Sequence, residues 1–219
     1  TAAAKQATST IPIVMATSGD PVSTGLIASL ARPGGNITGS TIYIPELMAK
    51  RLELLKQVKP RAKQMAALVN ADDPSRLPVL KAMETAARSL KVSLQKFEVR
   101  GRQDIENAFT AMGKSHIDAV VAQEDPMISA NINMIAELAS KHRIATAAHP
   151  PLAAAGGLIG YAANVPELMR RAAYFVDRIL KGAKPADLPV EQPTKFELVV
   201  NLKTAKALGI KIPNSILIR

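Results

Sequence analysis

The sequence predicts an α/β fold with parallel, doubly wound sheets arranged as two lobes. Three observations predict it. Short apolar runs alternate with amphipathic stretches along the whole chain, the pattern of repeated strand–helix–strand units. Some runs, such as 119–122 within the expected strand 117–122, are continuously apolar, as strands covered on both faces are. Helical stretches end on Pro or Gly, at Pro33-Gly34-Gly35, Pro60 and Gly182, which are helix stop signals.

In chain order, 11–16 reads as a strand. Val22, Leu26 and Leu30, spaced by four, predict a helix closed by Pro33-Gly34-Gly35. A strand over 37–44 follows, then a helix marked by Leu52, Leu55 and Val58. Residues 65–69 form a strand, and Leu77, Leu80, Met83, Ala87 and Leu90 share one helical face. The pattern repeats with a strand at 92–99 and a helix through Ile105, Ala108, Phe109 and Met112. After the strand 117–122, one helix is expected to carry Ile128, Ile132, Ile135 and Ala139. Strands at 144–147 and 158–161 precede a long helix with Leu168, Ala172, Phe175 and Ile179. Residues 183–194 are rich in Pro and polar side chains and read as a connector. A strand at 196–201, a short helix at 204–208 and a strand at 216–218 close the chain. These last pieces cannot build a sheet alone, so they are expected to rejoin the N-terminal segment. The expected lobes are 1–43 with 185–219, and 44–184.

Composition narrows the function. The chain has 219 residues, 47% of them hydrophobic, but no apolar run nears the roughly 20 residues of a membrane-spanning helix. There is no Cys, which excludes disulfides, thiolate metal sites and Cys nucleophiles. The net charge of +10 is scattered along expected helices, and aromatics are only 3%. That favours a solvated basic surface over a nucleic-acid face, which needs stacking platforms. The opening, Thr1 to Ala7, has no initiator Met and reads as the end of a helix. A mature or shortened product, its signal peptide removed, is expected.

In open α/β sheets ligands sit beyond the carboxyl ends of the strands. The residues at those places are Thr17-Ser18-Gly19-Asp20-Pro21, Asn70-Ala71-Asp72-Asp73-Pro74, Gln123-Glu124-Asp125-Pro126, Tyr161 and Asn164. Asp-Pro occurs in three of these turns. One reading is structural, with Asp capping a helix and Pro at its first position. The other is functional. Free N–H groups at a helix start bind a carboxylate, and a nearby Asp holds an ammonium. The Thr17–Asp20 turn offers both to a zwitterion. No catalytic residue, metal site or cofactor loop is found. His116, His142 and His149 lack i, i+4 spacing, and His149, after a strand, is the one that could line a cleft. Neither a nucleophile elbow nor a Walker A sequence is present.

The stretch Ile11-Pro12-Ile13-Val14-Met15-Ala16, then Gly19-Asp20-Pro21-Val22, then Gly25-Leu26-Ile27-Ala28-Ser29-Leu30-Ala31-Arg32-Pro33-Gly34-Gly35-Asn36-Ile37-Thr38-Gly39, resembles a group of ABC-transporter substrate-binding proteins that includes tryptophan and phenylalanine receptors. Lys50-Arg51-Leu52-Glu53-Leu54-Leu55-Lys56, the segment from Ile179 to Asn201, and Asn201-Leu202-Lys203-Thr204-Ala205-Lys206-Ala207-Leu208-Gly209 agree with it. The resemblance implies a type I periplasmic-binding fold with a ligand cleft, and a non-enzymatic extracytoplasmic receptor that delivers an amino acid or small organic acid to ABC permease subunits. It implies ligand contacts from Thr17, Ser18, Gly19, Asp20, Asn70, Asp125 and Tyr161. Ser18 and nearby amides would take a carboxylate, Asp125 an amino group, and Asn70 the main polar group. Tyr161 would pack on the ligand or fill the core. Asp20 and Asp125 would face each other across the cleft. The family's first lobe begins with further strands, so this first lobe is expected to be incomplete and the chain to self-associate as a dimer. A lipid anchor is expected on the full-length form. The same fold also serves as the ligand-sensing part of transcriptional regulators and signalling kinases, which is the alternative reading.

Overall fold

The computed structural model describes residues 1–218. In chain order the elements are α1 (Ala2–Ala7), β1 (Ile13–Met15), β2 (Ile37–Gly39), α2 (Ile44–Val58), β3 (Gln64–Asn70), α3 (Arg76–Leu90), β4 (Ser93–Val99), α4 (Arg102–Lys114) and β5 (Ala119–Ala122). They continue with α5 (Pro126–Ala130), α6 (Ile132–His142), β6 (Ala145–Ala148), α7 (Pro150–Ala154), β7 (Ile159–Ala163), α8 (Val165–Leu180), a 3-10 turn (Pro185–Asp187), β8 (Phe196–Val200), α9 (Leu202–Leu208) and α10 (Asn214–Leu217).

The chain folds as two units. The first is Thr1–Tyr43 with Ala163–Phe196, the second Ile44–Ala162 with Glu197–Arg219. This differs from the expected division in two places. Helix α8 belongs with the first unit because its buried Leu168 and Phe175 face β1 and β2. Strand β8 joins the six-stranded sheet beside β7, so it and α9 go with the second unit.

In the second unit the strand order is β4-β3-β5-β6-β7-β8. The pairs from β4 through β7 are parallel. Helices cover both faces, which is why Met65 to Val69 can all be apolar and fully buried. Leu68, Val99, Ile105, Phe109, Met112, Ile128 and Ile135 form one core layer. Helices α2 and α3 pack together, burying Met48, Leu52, Leu55, Val79 and Met83.

In the first unit β1 and β2 pair in parallel, with Ile13 opposite Ile37 and Met15 opposite Gly39. Met15, Ile27, Ile37 and Val190 form one buried cluster of this unit, and Leu168 and Phe175 of α8 are buried as well.

Four elements depart from the sequence reading. Residues 21–32 are turns and bends, not a helix. The Asp20 carbonyl draws in the Thr24 hydroxyl at 2.6 Å, and Gly25 turns left-handed at φ +67. These local bonds end helical winding after one turn, and Val22 stays exposed. The single helix expected through Ile128 and Ala139 is two, α5 and α6, broken at Asn131, whose side chain bonds back to the Met127 carbonyl. Residues 216–218 are not a strand. Pro213 opens the short helix α10 there, with Ile216 buried. The strand expected over 37–44 stops at Gly39, and Ile44 already begins α2.

Candidate functional site

Strand order decides where a site forms in the second unit. From β3 the chain goes to β4 on one side, then returns to place β5 on the other. The loops after β3 and β5 therefore part in opposite directions, and the crevice between them is the topological switch point of the sheet. Asn70 ends β3, and Gln123, Glu124 and Asp125 follow β5.

The structure brings Asn70 and Asp125 together there. Asp125 is the cap of α5, and its Oδ1 accepts from the Met127 and Ile128 N–H groups at 2.8 and 3.2 Å. Its Oδ2 accepts from Asn70 Nδ2 at 3.0 Å. The structural reading of this Asp-Pro pair is thus realised, and a functional use must rest on what remains. An ionised carboxylate has about four accepting positions, and three donors are bound, so one position is left. Asn70 Nδ2 likewise carries a second hydrogen that no described residue receives. Asn70 Oδ1 is taken by the Asp72 N–H.

Gln123, one of the strand-end residues but given no role by the sequence, locks this corner. It is fully buried. Its Oε1 accepts from the Asn70 N–H at 3.0 Å, and its Nε2 donates to Asp73 Oδ2. Asp73 also holds Ser75 through its N–H and its hydroxyl. Asp73-Pro74 is therefore a loop brace, since α3 starts later, at Arg76.

A second polar group lies at the ends of β5, β6 and β7. Arg51, in the middle of α2, is fully buried. Its Nη2 donates to Glu124 Oε2 at 2.6 Å and its Nε to the Tyr161 carbonyl at 2.8 Å. Burial pulls the Arg51 pKa down, and Glu124 opposes that shift. His149 caps α7, and its Nδ1 is buried with no hydrogen-bond partner among the described residues. Burial lowers the His149 pKa below the ordinary histidine value; Glu124 acts against this shift and Arg51 with it. The Tyr161 main chain is thus an anchor for Arg51, a role the sequence did not assign.

In the first unit the 17–20 turn is pinned by Thr41, whose hydroxyl donates to the Ser18 and Gly19 carbonyls at 2.9 and 3.3 Å. Asp20 is buried, and its Oδ1 accepts from the Val22 and Ser23 N–H groups at 3.2 and 3.0 Å. Those two amides are therefore spent on the turn, and no helix start cradles an anion there. Thr17 is exposed and Ser18 half-exposed. Asp20 and Asp125 belong to different units. Among the described residues no group of three or more His, Cys, Asp or Glu side chains is placed to hold a metal ion.

A family model described as ABC transporter substrate binding protein matches residues 1–219. A tyrosine-binding protein of Clostridioides difficile strain R20291 is 26% identical over 211 residues, 95% of this chain. The chain spans 60% of that relative's length. Among solved structures, an ABC domain in complex with L-Trp from Streptococcus pneumoniae superposes with a TM-score of 0.88 at 28% identity, covering 97% of this chain and 73% of the other. A conserved domain protein from Vibrio cholerae O1 biovar El Tor gives 0.90 at 26% identity, covering 99% and 73%.

Proposed function

The chain belongs to the family of ABC transporter substrate binding proteins, and from that membership we propose that it is the ligand-binding part of an extracytoplasmic receptor handing an amino acid to an ABC permease. The family is one of substrate binding proteins, and among the relatives above one is a tyrosine-binding protein and one is solved in complex with L-Trp. The observation that carries the amino-acid reading is the Asn70–Asp125 corner. One spare donor, on Asn70 Nδ2, stands about 3.0 Å from the oxygen of Asp125 that it already binds, and that carboxylate keeps one accepting position. A zwitterionic head group needs both, an acceptor for its ammonium and a donor for its carboxylate. Tyr161 is the proposed packing surface. No Trp is available to build an aromatic cage, so aliphatic amino acids and small organic acids belong in the screen with tyrosine and tryptophan.

Asn70→Ala is expected to weaken the best-binding amino acid by about tenfold to a hundredfold while leaving the fold intact. Isothermal titration of parent and variant, with circular dichroism alongside, measures this. Unchanged affinity in the variant, or no amino acid raising the melting point of the parent, would refute the assignment.

We also propose self-association. Met169, Val176 and Leu180 lie at i, i+7 and i+11 on α8, one helical face, and Leu180 is 83% exposed. A second copy would cover this stripe. Light scattering should find a dimer, and Leu180→Glu should shift it to monomer; a monomeric parent rejects the idea. Among the described residues no helix is long and apolar enough to cross a membrane, and attachment of the full-length form through a lipid is part of the proposal.

A further inference from the structure

The net charge of +10, scattered along the sequence, is partly gathered by the topology of the second unit. Strands β3, β4, β5 and β6 run parallel, so the helices that feed them all end at one edge of the sheet. The residues collected there are 59–63 before β3, 91–92 before β4, 114–118 before β5 and 141–144 before β6. Asp118 is their one carboxylate. It is taken by Lys59 Nζ at 3.2 Å and by the main-chain N–H groups of Lys63 and Gln64. Six exposed cations remain, Arg61, Lys63, Lys91, Lys114, Lys141 and Arg143.

Cations at helix C-termini are ordinary, because each such end carries about half a negative charge. Helices α2, α3, α4 and α6 end at this edge and account for about two positive charges. The rest are in excess. Helix α9 adds to them. Its Thr204 hydroxyl donates to the Gly156 carbonyl, ahead of β7, and Arg143 Nη2 reaches its Ala207 carbonyl at 3.4 Å. Residues 201–208 bring exposed Lys203 and Lys206 and no acid, and Leu202 among them is 58% exposed. The opposite edge is the reverse: 71–75, 100–104 and 123–125 hold five carboxylates against two arginines. The unit is therefore polarised along its strands, and an anionic surface would orient it as well as attract it.

The layout narrows the partner. The loops follow the strand order β4-β3-β5-β6, so at about 4.8 Å per strand the cations form a row about 14 Å long. The four loop segments contain no aromatic side chain, which denies nucleic-acid bases a stacking platform. An exposed Leu beside lysines suits a lipid headgroup layer, with ammonium groups on phosphates and the apolar tip between them. We propose that this edge is a docking surface for a bilayer containing anionic phospholipid. The preference for a bilayer over nucleic acid rests in part on the extracytoplasmic placement proposed above; the basic edge itself does not. Asn70 and Asp125 stand at the opposite ends of the strands, so docking leaves their corner turned to solvent.

The test is flotation of the whole chain with vesicles of phosphatidylcholine, alone or with about 30% phosphatidylglycerol. Binding is expected only to the mixed vesicles at about 0.05 M salt, and its loss at about 0.5 M. Lys63→Gln with Lys141→Gln should weaken it by about twenty-five-fold, roughly fivefold for each cation. Both side chains are exposed, and the Lys63 bond to Asp118 is main-chain, so the melting point should hold. Lys114→Gln alone, about fivefold, decides the matter should that pair fold poorly. Arg178→Gln with Lys184→Gln, exposed cations of the first unit, is the control of equal net charge and should bind as the parent does. Equal flotation with neutral vesicles, none with anionic ones, or equal weakening by the two pairs overturns the proposal. Duplex DNA of matched phosphate concentration that displaces the protein from vesicles overturns it too, naming nucleic acid as the partner. Amino-acid affinity should be the same in both pairs, so this surface and the Asn70–Asp125 corner fail separately.

Discussion

Glu124→Ala is expected to destabilise the second unit by about 3–5 kcal/mol, the cost of leaving a buried charge without its partner. Arg51 has no exposed surface and cannot shed its proton at ordinary pH. Its remaining contacts, the Tyr161 carbonyl and a 3.7 Å approach to Met48 Sδ, do not neutralise it. The reverse change should cost less. Arg51→Met leaves a Glu124 whose side chain is already 21% exposed and can be hydrated. The double variant Arg51→Met with Glu124→Leu should recover most of the loss, since apolar replacement of a buried pair is often neutral. Hydrogen exchange of the Leu68 and Val69 amides, deep in β3, reports opening of this unit directly. A Glu124→Ala protein within about 1 kcal/mol of the parent would show that the Arg51 charge is compensated elsewhere.

Much of this second unit was legible beforehand for a simple reason. Residues 65–69 and 119–122 are apolar throughout because helices cover both faces of their strands, so burial and sequence carry the same signal. Asp125-Pro126 marked a helix start because capping is local chemistry, settled within four residues. Asn70 and Asp125 were found by the strand-end rule, which needs only strand boundaries. The same rule picked out Gln123 but not its role, since its importance comes from the Asn70 N–H, a partner 53 positions away. Arg51 had a readable signal that went unused. It sits with Met48, Leu52 and Leu55 at the i, i+3, i+4, i+7 spacing of a buried face. A cation on that stripe needs a buried counter-charge and so marks a site. The helix expected at 22–30 failed for the opposite reason. Its apolar spacing was correct, but Asp20, Thr24 and Gly25 offered the backbone closer partners than a helix does.

Gly39→Ala should damage the first unit as severely as loss of Glu124 damages the second. Gly39 pairs with Met15 across β1 and β2 at φ +128, a conformation L side chains rarely adopt. An added Cβ would lie 2.1 Å from the Met15 carbonyl oxygen and 2.6 Å from its nitrogen. Both obstacles are backbone, so no side-chain rotation relieves them. Strain from the backbone angle and overpacking each cost on the order of 1–3 kcal/mol, and they act together here. The strands can separate only by breaking the Ser40 N–H bond to the Met15 carbonyl, 2.7 Å, on which the turn into α2 depends. Amide exchange should therefore quicken at Val14 and Thr38 while Leu68 and Val69 keep their protection, because the two units have separate cores. Gly35→Ala is the control, with open space around its Cβ position. Equal loosening of both units in Gly39→Ala would mean that the first unit's order is a condition for the second's.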